Sequence, residues 1–239
     1  VKRDMLKLDL EVAEIYSPPR VTTEAAKWGF KPGLAMDLTT GWDFRNAEDR
    51  RQAWKYVEDA KPILLIGSPM CTLFSSLQNL SRWTETKEEL WREAVDHREF
   101  VVKLYERQRE EGRWFLHEHP AQATSWALTV VEKLQDKEDV MLTLADQCQY
   151  GNEVTFGLEM GMPMRTRTTF MSHAPEVLRP RSARCGGRCR RWRGGGSVLC
   201  KTATSNVSIA PSAIARTSDC SPYATAPFEL IRFHTSSSN

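Results

Sequence analysis

A chain of 239 residues, 41% hydrophobic and 27% charged, is long enough to bury one substantial core and is neither disordered nor fibrous in overall composition. No run of 18 apolar residues occurs, so no membrane-spanning helix is expected. The net charge of +2 conceals an asymmetry: residues 181–239 hold nine basic against two acidic side chains (+7), which leaves 24 against 29 (−5) in residues 1–180. Blanket attraction of the front part to nucleic acid is excluded, and contact there needs a local basic groove.

The opening Val1-Lys2-Arg3-Asp4 has neither an initiator Met nor an apolar leader and reads as the continuation of a longer chain. Leu10–Tyr16 has strand composition and ends at Pro18-Pro19; Arg20–Trp28 reads as a helix stopped by Gly29. Leu34–Leu38 is a short strand carrying Asp37. Ala47–Ala60 is a charged helix with Ala53, Trp54 and Val57 inward, closed by Lys61-Pro62. Ile63–Gly67, apolar and bounded by Pro and Gly, has the form of a buried parallel strand.

A long helix is expected over Glu88–Glu111, with Thr86 and Glu89 at capping-box spacing and Leu90, Ala94, Val101, Leu104 and Tyr105 as its apolar stripe. Trp114–Glu118 reads as a strand, Ser125–Leu134 as a helix, and Val140–Leu144 and Thr168–Ser172 as further strands. Alternation at this spacing predicts an α/β fold with a doubly wound, mostly parallel sheet over residues 1–180, whose ligands bind at the carboxyl ends of the strands. From Arg181 the texture turns basic and rich in Gly, Ser and Thr, so residues 181–239 are expected to form a disordered tail. Only Cys71 and Cys148 lie in the first 180 residues. That is no disulfide framework, and it fits a reduced intracellular compartment, nuclear in a eukaryote.

Three segments could carry chemistry. Gly67-Ser68-Pro69-Met70-Cys71-Thr72-Leu73-Phe74-Ser75 places a thiol after the central strand, in the turn before the next helix. A helix N-terminus there would favour the thiolate; a Cys in this place also serves as a small buried hydrophobe. Trp114-Phe115-Leu116-His117-Glu118-His119-Pro120 delivers Glu118 to the same crevice, unless it caps the following helix. His117 and His119 share a strand face, but no third ligand stands at a metal-site spacing and no metal is assigned. Ahead of Thr168–Ser172, Arg165 and Arg167 project the same way and could clamp a phosphate or a base edge, or simply be solvated.

In this order the three segments resemble the motifs of the cytosine carbon-5 DNA methyltransferase family. Pro69, Cys71, Phe74 and Ser75 stand for its Pro-Cys nucleophile motif. Glu118-His119-Pro120 stands for its Glu-Asn-Val, and Arg165-Thr166-Arg167 matches part of its Gln-x-Arg-x-Arg. The Tyr-Ser-Pro-Pro-Arg, Asp-Leu-Thr-Thr-Gly-Trp-Asp-Phe and Leu-His-Glu-His-Pro runs are also similar to divergent methyltransferase-like domains of mobile elements. The likeness spans roughly Leu10 to Ser172.

The resemblance implies a sheet of the S-adenosylmethionine-dependent methyltransferase (Rossmann-like) type, with DNA as partner and S-adenosylmethionine as cofactor. By the same likeness the Cys71 thiolate adds to carbon-6 of a flipped cytosine, Glu118 hydrogen-bonds the ring nitrogen and amine, and Arg165 and Arg167 orient the base or support Glu118. Cofactor contacts fall to Glu14, Asp37, Asp43, Ser68 and Pro69. The chain departs from the family at Met70, where Pro is usual; at His119, where Asn is usual; after the first strand, where a Gly-rich loop is missing; and after Arg167, where no target-recognition region follows. Two other functions share these residues: a DNA amino-methyltransferase working without a covalent adduct, and a non-catalytic nucleic-acid-binding remnant.

Overall fold

Side chains alternate across a strand, and in this chain both faces of the central strands are apolar. The computed structural model describes residues 10–75, 78, 80–155 and 160–186, together with the backbone of 189–191 and 198–200. Six strands build one sheet: β1 (Glu11–Ile15), β2 (Lys31–Met36), β3 (Leu64–Gly67), β4 (Trp114–Pro120), β5 (Met141–Asp146) and β7 (Arg167–Ser172), in the order β2-β1-β3-β4-β7-β5. The first four are mutually parallel. β7 runs antiparallel between β4 and β5. The fold is mixed α/β with a largely parallel central sheet.

Ala13, Ile15, Leu65 and Phe115 point to one face, where they pack with helices α2 (Ala47–Ala60), α3 (Glu85–Glu110) and α4 (Thr129–Gln135) through Val57, Val101, Tyr105 and Leu134. Val12, Leu64, Ile66 and Leu116 point to the other, against α1 (Val21–Ala25) and α5 (Pro175–Leu178) through Ala25, Val177 and Leu178. Both faces are thus covered, which is why the inner strands read as unbroken apolar runs.

Several boundaries differ from the sequence reading, each for a physical reason. β2 begins at Lys31 and includes Pro32; as an edge strand it has no outer partner to demand the missing N–H. α3 begins three residues early, because Thr84 and not Thr86 is the cap, accepting from the Lys87 amide at 3.2 Å. Leu90 is 48% exposed and lies off the stripe. The stretch expected as one helix over Ser125–Leu134 splits at Leu128 into a 3-10 turn (Thr124–Ala127) and α4.

Packing does not stop at residue 180. Asp146 accepts from the Cys185 amide (2.8 Å), the Asp146 amide donates to the Ala183 carbonyl (3.0 Å), and Arg181 is buried over Phe170. β6 (Met164–Arg165) pairs with β9 (Val198–Cys200), and β9 with β8 (Cys189–Arg191), in a small antiparallel sheet. The rest of the expected tail lies outside the described residues. No helix among the described residues is long and apolar enough to cross a membrane.

Candidate active site

β3 ends at Gly67 because nothing larger fits: a Cβ there would collide with the Tyr105 hydroxyl. That hydroxyl is fixed by His117 Nδ1 at 3.1 Å, and the Tyr105 ring stacks on Phe115 at 4.8 Å. Beyond Gly67 the chain turns through Ser68, Pro69 and Met70 to Cys71, which is neither buried nor fully exposed. The helix expected directly after the thiol is a single 3-10 turn, Thr72–Phe74, and α3 starts only at Glu85. No substantial helix dipole reaches the sulfur.

Glu118 occupies the strand beside this turn. It lies on the same sheet face as Leu116, is half-buried, and is the hub of the site. Ser68, three residues before Cys71, and Thr168, one residue after Arg167, both hydrogen-bond its carboxylate. Gln147, just past β5, ties them together, donating to Glu118 Oε1 at 3.3 Å and to Thr168 Oγ1 at 2.8 Å. Burial pushes the Glu118 carboxyl up to about 7, against the two hydroxyl bonds and the charges of Arg20 and Arg98, which pull it down. A carboxyl so placed can be a proton donor or an acceptor near neutrality.

Arg98 reaches the site from α3. It is 1% exposed, and its Nη2 donates to the Met70 carbonyl (2.7 Å) and the Pro69 carbonyl (3.2 Å) and lies 2.9 Å from His119 Nε2. His119 and His117 are stacked, with ring centroids 5.6 Å apart. Burial, reinforced by the Arg98 charge, holds both well below the ordinary histidine range, so they are neutral. On the other sheet face Arg20 extends into the field of Glu14, Asp37 and Glu118, and makes no side-chain hydrogen bond among the described residues.

Neither a protein-family model nor a curated protein matches the chain.

The remaining sequence candidates divide. Asp37 stands at the carboxyl end of β2, where its side chain accepts from the Thr39 amide (2.9 Å) and hydroxyl (2.7 Å) and closes a capping box with Thr40. Glu14, 1% exposed, is fully used by its own loop, accepting from Ser17 Oγ (3.0 Å), the Arg20 amide (3.0 Å), and the Thr22 amide and hydroxyl (2.7 and 2.8 Å). It shapes the β1–α1 turn and has little left for a ligand. Asp43 pairs with Arg45 at 2.6 Å, which holds its carboxyl down at about 2. Pro69 is buried and contributes its carbonyl to Arg98.

Arg165 and Arg167 turn to the buried Asp146, at 3.8 and 3.7 Å, and Arg184 joins them at 3.3 Å. The cations that act most strongly on Glu118 are Arg20 and Arg98 instead. Sequence reasoning assigned no role to Arg20, Arg98, Gln147 or Thr168. Arg98 did leave a signal: at four residues from Ala94 and three from Val101 it falls on the inward stripe of its helix, where a charge needs a reason.

Proposed function

We propose that this chain is a DNA (cytosine-5)-methyltransferase-like protein that works through a Cys71 adduct. One observation carries the reading: Ser68 of the thiol's turn and Thr168, the residue after the Arg motif, both hydrogen-bond the Glu118 carboxylate. Three segments far apart in sequence, each resembling or adjoining a catalytic motif of that family, thereby meet beside the carboxyl end of β3. The largely parallel sheet with helices on both faces is also what the methyltransferase-type fold requires.

The residues fit the cofactor in part. Asp37, half-buried at the end of β2, suits a ribose hydroxyl, and the guanidinium of Arg20 suits a carboxylate. S-adenosylmethionine, when bound, supplies an electrophilic methyl group. The chain's own part is to make carbon-5 a nucleophile. The Cys71 thiolate forms a bond to carbon-6 of a flipped cytosine, and the electron pair of the 5,6 double bond shifts through carbon-5 and carbon-4 to ring nitrogen 3. Glu118, protonated at neutrality about as often as not, gives its proton to that nitrogen while its other oxygen accepts from the amine. When the nitrogen returns the proton to Glu118, the pair moves back to carbon-5, which would then bond the methyl group. A solvent base takes the carbon-5 proton, the 5,6 double bond re-forms as the carbon–sulfur bond breaks, and Cys71 leaves as thiolate. Arg165, Arg167 and Arg184 outnumber their one carboxylate and suit backbone phosphates beside the base.

The test is covalent trapping. Full-length protein incubated with S-adenosylmethionine and a duplex containing 5-fluorocytosine should give a denaturation-resistant protein–DNA band, lost in Cys71→Ser. Methylation of the cytosine amine without any trapped band would make the chain an amino-methyltransferase. Retained DNA binding with neither product would make it a non-catalytic remnant.

A further inference from the structure

An arginine cannot discharge itself in a protein interior, so a buried one is expected to face an anion. Arg98 is 1% exposed and forms no ion pair with a carboxylate among the described residues. Its Nη2 is spent on two carbonyls and a neutral imidazole, and the guanidinium lies 5.1 Å from the Phe74 ring centroid. Nε and Nη1 are buried without a hydrogen-bond partner among the described residues. Such a group is costly to bury unless a negative charge comes to it.

The groups within its field can be taken in turn. Tyr16 at the end of β1 and Tyr105 on α3 are pushed far up by burial and stay neutral. His117 and His119 on β4 are neutral as well. Two remain that can carry negative charge near neutrality, Cys71 and Glu118, and the Arg98 charge acts on both. The same guanidinium grips the carbonyls of Pro69 and Met70, the two residues immediately before the thiol.

We propose that Arg98 is a positioning residue for Cys71: it fixes the Pro69–Met70 turn from below and presents an uncompensated positive charge to the sulfur, so that Cys71 reacts as a thiolate. The role rests on the reading of Cys71 as nucleophile. It also accounts for one departure from the family pattern and for the helix that was expected after the thiol and is a single 3-10 turn. Met70 leaves a looser turn than Pro, and the Arg98 bonds restore its rigidity; no long helix follows the thiol, and Arg98 supplies the missing field. His119 supports the guanidinium by offering an uncharged acceptor.

The test measures sulfur chemistry without DNA or cofactor. Iodoacetamide alkylates a thiolate, the S–C bond forming as iodide leaves, and the rate at the Cys71 peptide is followed by mass spectrometry from pH 5 to 10 in the intact chain. In the unsubstituted protein the midpoint should lie below that of the same peptide in urea-unfolded chain. Arg98→Met should raise it by about one pH unit, slowing alkylation at neutrality roughly tenfold, and Arg98→Lys should recover part of that shift. The shift should persist in a Glu118→Gln background, which removes the competing anion.

A midpoint equal to that of the unfolded chain, or one unmoved in a folded Arg98→Met protein, overturns the proposal; the first comparison stands even if the variant does not fold. Altered alkylation with no fluorocytosine adduct would sink the methyltransferase reading and leave this one. An adduct with an unmoved midpoint would do the reverse.

Discussion

Glu118 should weaken the fold at neutral pH, and Glu118→Gln isolates the effect. In the unfolded chain this side chain titrates near 4.5, and in the folded chain at about 7. At acid pH both states hold the proton and the residue imposes no cost. Between the two values the unfolded state releases its proton while the folded state keeps it, so stability falls as the pH rises; above the upper value the whole cost is present. A gap of about 2.5 pH units at about 1.4 kcal/mol each, partly screened by water in the cleft, is on the order of 2–3 kcal/mol. Glutamine keeps an acceptor for Ser68 and Thr168 and has no charge to desolvate. The variant should therefore match the wild type near pH 4 and exceed it by that amount near pH 8, in urea unfolding followed by tryptophan fluorescence. His97, His117 and His119, all depressed by burial, cost stability as the pH falls through the ordinary histidine range. They are common to both proteins and cancel in the difference. A difference that does not change with pH would refute the reasoning.

Asp37→Asn should leave the thermal midpoint unchanged, because asparagine still caps the turn at Thr39, while weakening S-adenosylmethionine binding roughly tenfold in calorimetry through loss of a charged acceptor. Glu14→Ala should do the opposite kind of damage: with four donors left unsatisfied in a buried turn, denaturant unfolding should show a loss on the order of 3 kcal/mol. Gly67→Ala should cost about 2 kcal/mol by the same measurement, since the new methyl group drives Tyr105 off its contacts with Phe115 and His117.

The end of β3 was legible because it is marked twice, by the apolar run closing on Gly67 and by the polar Ser68 after it; β4 instead runs on past Glu118 to Pro120, where it pairs with β7, and β2 stops at Met36 because Asp37 caps the next turn. Helix α2 was exact for a similar reason, with Asn46 at its start and Lys61-Pro62 at its end. The antiparallel course of β7 was harder to see. A parallel return needs a crossover helix, and between Asp146 and Arg167 the described residues hold the 3-10 turn Gln147–Tyr150, a short bridge at Glu153–Pro163 and the two-residue β6, but no α-helix. Glu14 looked like a ligand because an acid at a strand end usually faces a crevice. Its true partners, Ser17, Arg20 and Thr22, are local, and three-dimensional packing alone shows that they exhaust it. Arg98 escaped notice because the helix stripe was read for apolar residues, and a cation on that stripe gains meaning only when β4 and the Pro69–Met70 turn are brought against it.

The two sheet faces divide the charged groups around the β3 and β4 ends, and under the proposed function this division lets a carboxyl near neutrality and a thiolate coexist. Glu118 points to the α1 face, where Ser68, Thr168 and Gln147 surround it with neutral donors and Arg20 is its cation. His117 and His119 point to the α3 face, where Arg98 is enclosed among neutral rings. Pro69 and Met70 carry the chain from the residue bound to Glu118 to the thiol within reach of Arg98's charge. Burial keeps the Glu118 proton near neutrality, while the role proposed for Arg98 is to favour loss of the Cys71 proton. Two groups of opposite protonation are what a nucleophile attacking a base, with an acid at the base's ring nitrogen, requires at the same pH.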